Sequence, residues 1–311
     1  GGGAPKCAAG VSIPGRGAAR AAPRDERPGG PAFMYPFAQH FLLCLGFFLY
    51  IPAAVVAVVH LVRRGDIASR SSQALALAAG LCHVALLVLR GIEGGGFPVR
   101  TALDSLILFL IALTGGVLLV GRLFRMPVMV SFALPVIATI TGGSFLLVQV
   151  PADVARPHPL LLASHVSLTV ISYAAFAIGF VLGVMYLLQE RQLKSRRPGW
   201  LLYVLPALDV MEMLSVRTIV AGWLMLSAGI GLGMLGLWLG RLSLPAQTIW
   251  YADPKVVWTG LTWAAYTAVV VIQLMPRFRG RKVAMVGVLG FGLVIFTYFG
   301  AHLMGAGFHR F

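Results

Sequence analysis

Apolar residues along this chain come in long unbroken runs, not in the period-two alternation or single apolar stripe of soluble strands and helices. A helix rises about 1.5 Å per residue, so about 20 mostly apolar residues are needed to cross the hydrocarbon core of a bilayer. Eight runs reach that length, at 38–62, 72–90, 101–121, 127–150, 160–188, 218–240, 256–275 and 283–304. The pattern predicts an all-α fold: a polytopic integral membrane bundle of about eight transmembrane helices. Polar residues gather in the connectors, and none of these could hold a soluble domain, so residues 34–311 read as a single transmembrane domain. The connector 189–217 contains LPALDVMEMLSV, an amphipathic stretch expected to lie along the interface.

Residues 1–33 break the pattern. They are rich in Gly, Pro, Ala and Arg, show no sustained apolar periodicity and begin without a methionine. Such a segment cannot bury a core and is expected to be a disordered basic tail, consistent with an extension upstream of a start at Met34. Without an apolar central region it does not read as a signal peptide.

Composition sharpens the membrane assignment. Of 311 residues 59% are hydrophobic and 11% charged, against about a quarter charged in soluble domains. The excess of 25 Lys and Arg over 10 Asp and Glu would suggest nucleic-acid binding in a soluble protein. Here the basic residues sit in short connectors, where they signal topology, and no nucleic-acid partner is expected. With both ends outside, the cytoplasmic connectors hold fourteen basic residues, from Arg63 to Lys282, and the opposite face holds six. This predicts a multi-pass membrane protein with its C-terminus outside. Cys7, Cys44 and Cys82 form no CxxC or CxxCH pattern and imply neither a disulfide nor a metal framework.

Ionisable groups inside a span cost about 2.5–3.5 kcal/mol on insertion scales, which makes each a functional candidate. Asp104 opens the third run; it reads equally as a helix-start carboxylate near the interface or as a functional group. The predicted topology gathers His158, His165, His302 and His309 at one face, joined by His40, with His60 at the opposite end and His83 in mid-span. Neutral imidazole is a strong axial ligand for haem iron, although a lone histidine near a helix end is more commonly a hydrogen-bonded interface residue. His165 and His309 stand out because of the segment between them, TIWYADPKVVWTGLTWAAY. It sets Trp250, Tyr251, Trp258, Trp263 and Tyr266 around Asp253, Pro254 and Lys255. An interfacial aromatic belt accounts for that density; an aromatic shelf for a flat macrocycle, with two imidazoles taking its iron and Lys255 or nearby arginines meeting its propionates, accounts for the histidines as well.

The segment DPKVVWTGLTWAAY resembles the tryptophan-rich WWD region of the cytochrome c assembly membrane proteins, the CcsA, ResC, CcmC and HemX-like group, with Asp253, Pro254, Lys255, Trp258, Trp263 and Tyr266 matching. HVSLTVISYAAFAIGFVLGVMYLLQERQLK is similar to the family helix that begins with an outer histidine. TYFGAHLMGAGFHRF is similar to its C-terminal segment, and DSLILFL to a segment with glutamate in place of Asp104. The likeness spans nearly all of 37–311. It implies that His165 and His309 ligate haem iron at the outer surface, and that Trp250, Asp253, Trp258 and Trp263 form the shelf. Haem b would be the cargo, presented for attachment to apocytochrome c. A membrane partner subunit with a large outer domain is implied too, so the chain would be at most a subunit of a haem lyase or synthase. The chain departs from the family pattern at Val256, where glutamate is usual, at Ala252, where tryptophan is usual, and at Val271, about where the full synthase has a histidine. These departures lean toward the HemX-like or short CcsA-like branch. A second reading is therefore a membrane regulator or scaffold of haem biosynthesis. A transporter is disfavoured, because no paired intramembrane charges or inverted repeat of broken helices are visible.

Overall fold

A chain in lipid must satisfy its backbone polar groups within each spanning segment, which leaves helices as the form available to these apolar runs. The computed structural model describes residues 31–63, 65–145, 160–195, 199–239, 254–273 and 280–296. Among them run eight α-helices: α1 (Pro31–Arg63), α2 (Asp66–Gly94), α3 (Ala102–Leu123), α4 (Pro127–Ser144), α5 (Leu160–Lys194), α6 (Leu208–Trp238), α7 (Pro254–Gln273) and α8 (Arg281–Ile295). A single 3-10 turn, Trp200–Tyr203, precedes α6. All but α8 are long and apolar enough to cross a membrane. Helix α8 is described over 15 residues, and its apolar run continues past the described residues. The protein is a polytopic helical membrane protein.

Successive helices run antiparallel. One end of the bundle holds the starts of α3, α5 and α7 and includes His165; the other holds Arg63, Arg122, Lys194 and Arg281. We call these the His165 end and the basic end. Helices α1 to α4 pack together, α1 against α2 and α4; helices α5 to α8 form a second group in which α5 packs on α6 and α8 and reaches back to α3.

The tightest seam is α5 against α6. On α5 the facing residues are His165, Thr169, Ser172, Phe176 and Gly179, a four-three spacing; α6 answers with Gly222, Gly229 and Gly233. Small residues let two helices approach where lipid supplies no hydrophobic drive between them. A Cβ at Gly222 would come within 2.8 Å of the Phe176 ring, and one at Gly229 within 2.8 Å of Thr169 Oγ1. Beyond Phe176 lies Tyr266 of α7, stacked at 3.6 Å between centroids and 7° between planes. Gly290 of α8 closes that layer against the Tyr266 ring.

Two turns show why helices stop where they do. Helix α2 ends at Gly95, whose φ of 64° is left-handed, and Gly96 N–H returns to Gly91 O at 3.1 Å. At the α3–α4 turn the same motif is made by Arg125 at φ 53°, with Met126 N–H on Gly121 O at 2.8 Å.

Several helices outrun their apolar stretches. Helix α2 starts at Asp66 and ends at Gly94, well outside 72–90, and its last polar turns are paired, Arg90 with Asp104 and Glu93 with Gln39. The LPALDVMEMLSV stretch is corrected more substantially: from Leu208 onward it is the opening of α6, continuous with the span and not a separate segment lying along the interface. Met211 and Leu214 are buried, and Glu212 accepts a hydrogen bond from Gly280 N–H at 2.8 Å, which ties this turn to the start of α8. Its amphipathicity reflects packing against the bundle. The expected tail falls largely on residues 1–30, outside the described residues, and α1 is helical from Pro31.

Candidate functional site

His165 lies in the second turn of α5 and is half-buried against α6. Its Nδ1 is 2.7 Å from the carbonyl oxygen of Gly229. A carbonyl can only accept, so Nδ1 carries the proton and donates, and the tautomer that makes this bond has its lone pair on Nε2. Thr169, one turn on, donates its hydroxyl to the His165 carbonyl at 2.9 Å. Chemically the site offers Nε2 of that tautomer as an electron-pair donor toward a metal.

The first turns of α7 belong to the same end. Trp258 meets Phe296 edge-on, with centroids 4.5 Å apart and planes at 70°. Trp263, 36% exposed, donates its indole N–H to Ser227 Oγ at 2.9 Å, and Trp223 of α6 donates to Thr267 Oγ1 at 2.8 Å. Tyr173 and Thr259 link α5 to α7 at 3.5 Å. Helix α6 is therefore held by α5 through Gly229 and by α7 through Ser227. These two positions point about 200° apart at about 100° per residue. Trp258 and Trp263 share the end of the bundle with His165, and Trp263 meets a different face of α6 from the one His165 meets. His309, Trp250 and Asp253 lie outside the described residues.

A second polar group occupies the same end in the α1–α3 half. Asp104 is the third residue of α3 and only 2% exposed. Its carboxylate accepts from the N–H of Arg100 at 3.0 Å and of Thr101 at 2.9 Å, and the Thr101 hydroxyl accepts from Asp104 N–H at 3.1 Å, a complete capping box. Arg90 of α2 pairs with Asp104 and donates to Gln39 of α1 at 3.1 Å and Thr101 at 3.3 Å. Asp104 is thus a helix cap and an inter-helix pin. His83, deeper in α2, is 0% exposed, lies against Gly46 and Tyr50, and has no partner for either ring nitrogen among the described residues. His60 at the basic end has its Nδ1 3.2 Å from Gly65 O. Val271 is 47% exposed on α7.

Comparison with known proteins bears on what this end does. The family model described as "Cytochrome C assembly protein" matches residues 99–309. The chain belongs to the cytochrome c assembly protein family. Among relatives of this cytochrome c assembly protein, "Cytochrome c biogenesis protein CcsA" of Parasynechococcus marenigrum (strain WH8102) is 31% identical over 297 residues, covering 87% of this chain and 93% of the relative. The CcsA of Synechococcus sp. (strain CC9605) is 30% identical over 301 residues, 88% and 94% of the two chains. The matched region takes in Asp104, His165, Trp258 and Trp263 and leaves out α1 and α2, His83 included.

Sequence reasoning found His165 and the tryptophans but missed the groups that hold them. Gly229 and Gly233 stand in AGIGLGMLG, where glycines recur at spacings that place several on one helix face. Read against the four-three spacing of His165, Thr169, Ser172 and Phe176, that recurrence was the available signal.

Proposed function

We propose that this cytochrome c assembly protein holds haem b at the His165 end of the bundle and presents it for attachment to apocytochrome c. His165 and His309 are the axial ligands in this reading, and Trp250, Asp253, Trp258 and Trp263 form the surface against the ring. The observation that carries it is the donation of His165 Nδ1–H to Gly229 O, which leaves Nε2 as the coordinating atom of a half-buried imidazole. Trp258 and Trp263 at the same end supply aromatic surface of the kind a flat macrocycle packs on.

Haem is the substrate here, and what it contributes is the electrophilic vinyl group. Attachment adds a thiol S–H across that vinyl C=C: a carbon–sulfur bond forms, the double bond becomes single and the proton ends on carbon. No side-chain nucleophile of this chain is consumed, so its residues bind, orient and exclude water. Thiols and their positioning would come from apocytochrome c and from a membrane partner with a large outer domain, which makes the chain at most a subunit of a haem lyase. The excess of basic residues at the other end orients the His165 end to the outside of the bacterial inner membrane, with the C-terminus outside.

The test is spectral. Purified full-length protein should show a Soret band, as isolated or after haem addition, and lose it or shift it to the high-spin position in His165→Ala and in His309→Ala. No band in the wild type under either condition overturns the reading.

A further inference from the structure

We infer that Gly233, together with the Gly229 carbonyl, is the positioning device for His165, fixing the imidazole as its Nδ1–H tautomer so that Nε2 alone faces a ligand. The inference rests on His165 being the iron ligand proposed above. It adds how a residue on a neighbouring helix sets that ligand's protonation pattern and direction.

The geometry leaves the ring little freedom. A Cβ at Gly233 would sit 2.8 Å from both Nδ1 and Cε1 of His165 and 3.4 Å from Nε2, so the imidazole lies directly against the α-carbon. Any side chain at 233 would displace the ring from the Gly229 oxygen, which it meets at 2.7 Å. At Gly231, two residues earlier on the same helix, a Cβ would meet nothing within 4 Å. The requirement for glycine at 233 thus comes from the imidazole and not from α6 itself. A glycine inside a helix costs about 0.5–1 kcal/mol relative to alanine, and at 233 the structure shows what that vacancy accommodates. His60 makes a longer contact of the same kind, 3.2 Å to Gly65 O, and His83 makes none among the described residues. A carbonyl accepting from Nδ1–H raises the basicity of Nε2 and fixes the ring plane, and loss of such an outer contact typically weakens metal affinity roughly 10- to 100-fold.

The tautomer can be read on the unmodified protein. Apo full-length chain labelled with 15N-histidine in lipid bilayers should give, for His165, a protonated Nδ1 and a bare Nε2 by solid-state NMR, assigned by the signal missing in His165→Gln. A protonated Nε2 overturns the inference. Haem titration then compares wild type, Gly233→Ala and Gly231→Ala. Gly233→Ala should weaken haem binding roughly 10- to 100-fold and raise the ferric/ferrous potential, with Gly231→Ala matching wild type. Equal behaviour of the two variants overturns the positioning role even if His165→Ala abolishes binding. A wild type that binds no haem instead removes the ligand reading, and the tautomer measurement still decides whether the ring is held as described.

Discussion

Replacing Asp104 by alanine should be among the most damaging single changes at the His165 end. The carboxylate is 3% exposed and its partner Arg90 20% exposed, and it also accepts from two backbone N–H groups, of Arg100 and Thr101. Removing one partner of a buried pair costs about 3–5 kcal/mol. Arg90 keeps its bonds to Gln39 and Thr101 and lies near the bundle end, so the cost falls at the low end of that range, about 3 kcal/mol, capping included. Asp104→Asn retains an acceptor oxygen for the N–H groups and loses only the charge, at about 1–2 kcal/mol. Because the pair is in contact, Arg90→Gln with Asp104→Ala should cost less than the sum of the single changes by about 1–2 kcal/mol. Unfolding by SDS titration in mixed micelles, followed by far-ultraviolet circular dichroism, measures wild type and the four variants. An Asp104→Ala variant within about 0.5 kcal/mol of wild type, or strict additivity of the pair, would refute the reasoning.

Three further substitutions probe groups that the packing leaves unsatisfied or strained. His83→Leu should raise stability by about 1–2 kcal/mol in the same titration, since both ring nitrogens are buried without partners among the described residues; a loss of stability would show that the imidazole is bonded. Tyr266→Phe removes a hydroxyl unpartnered among the described residues while keeping the stack on Phe176. It should be neutral or stabilising by about 1 kcal/mol, and a loss above that would assign the hydroxyl a partner. Arg125→Gly relieves a left-handed backbone at φ 53° and should stabilise by about 1 kcal/mol, whereas destabilisation would mean the guanidinium anchors that turn.

How much of this was legible beforehand depends on what each residue's role requires. Eight apolar runs located eight helices, because crossing lipid imposes a length that hydropathy reports directly. Helix ends were less legible: the Arg90–Asp104 pair lets helices keep polar turns that a hydropathy reading cuts off. The start of α6 misled because Asp209 and Glu212 resemble an interfacial helix until Gly280 appears as the partner of Glu212. At the site, His165 was legible as a histidine near a helix end, and the resemblance raised it above the others. Gly233 was not, since its role lies in a contact between helices 68 positions apart in sequence. Asp104, open between two roles in the sequence, is a capping and pinning carboxylate once Thr101 and Arg90 are seen beside it.

The central claim is that Nε2 of His165 ligates haem iron, and electron paramagnetic resonance of the ferric, haem-loaded full-length protein tests it most directly. Wild type should give a six-coordinate low-spin signal of bis-histidine type. His165→Ala should lose haem or turn high-spin, and free imidazole should restore the low-spin signal. A His165→Ala spectrum identical to that of wild type would contradict the claim.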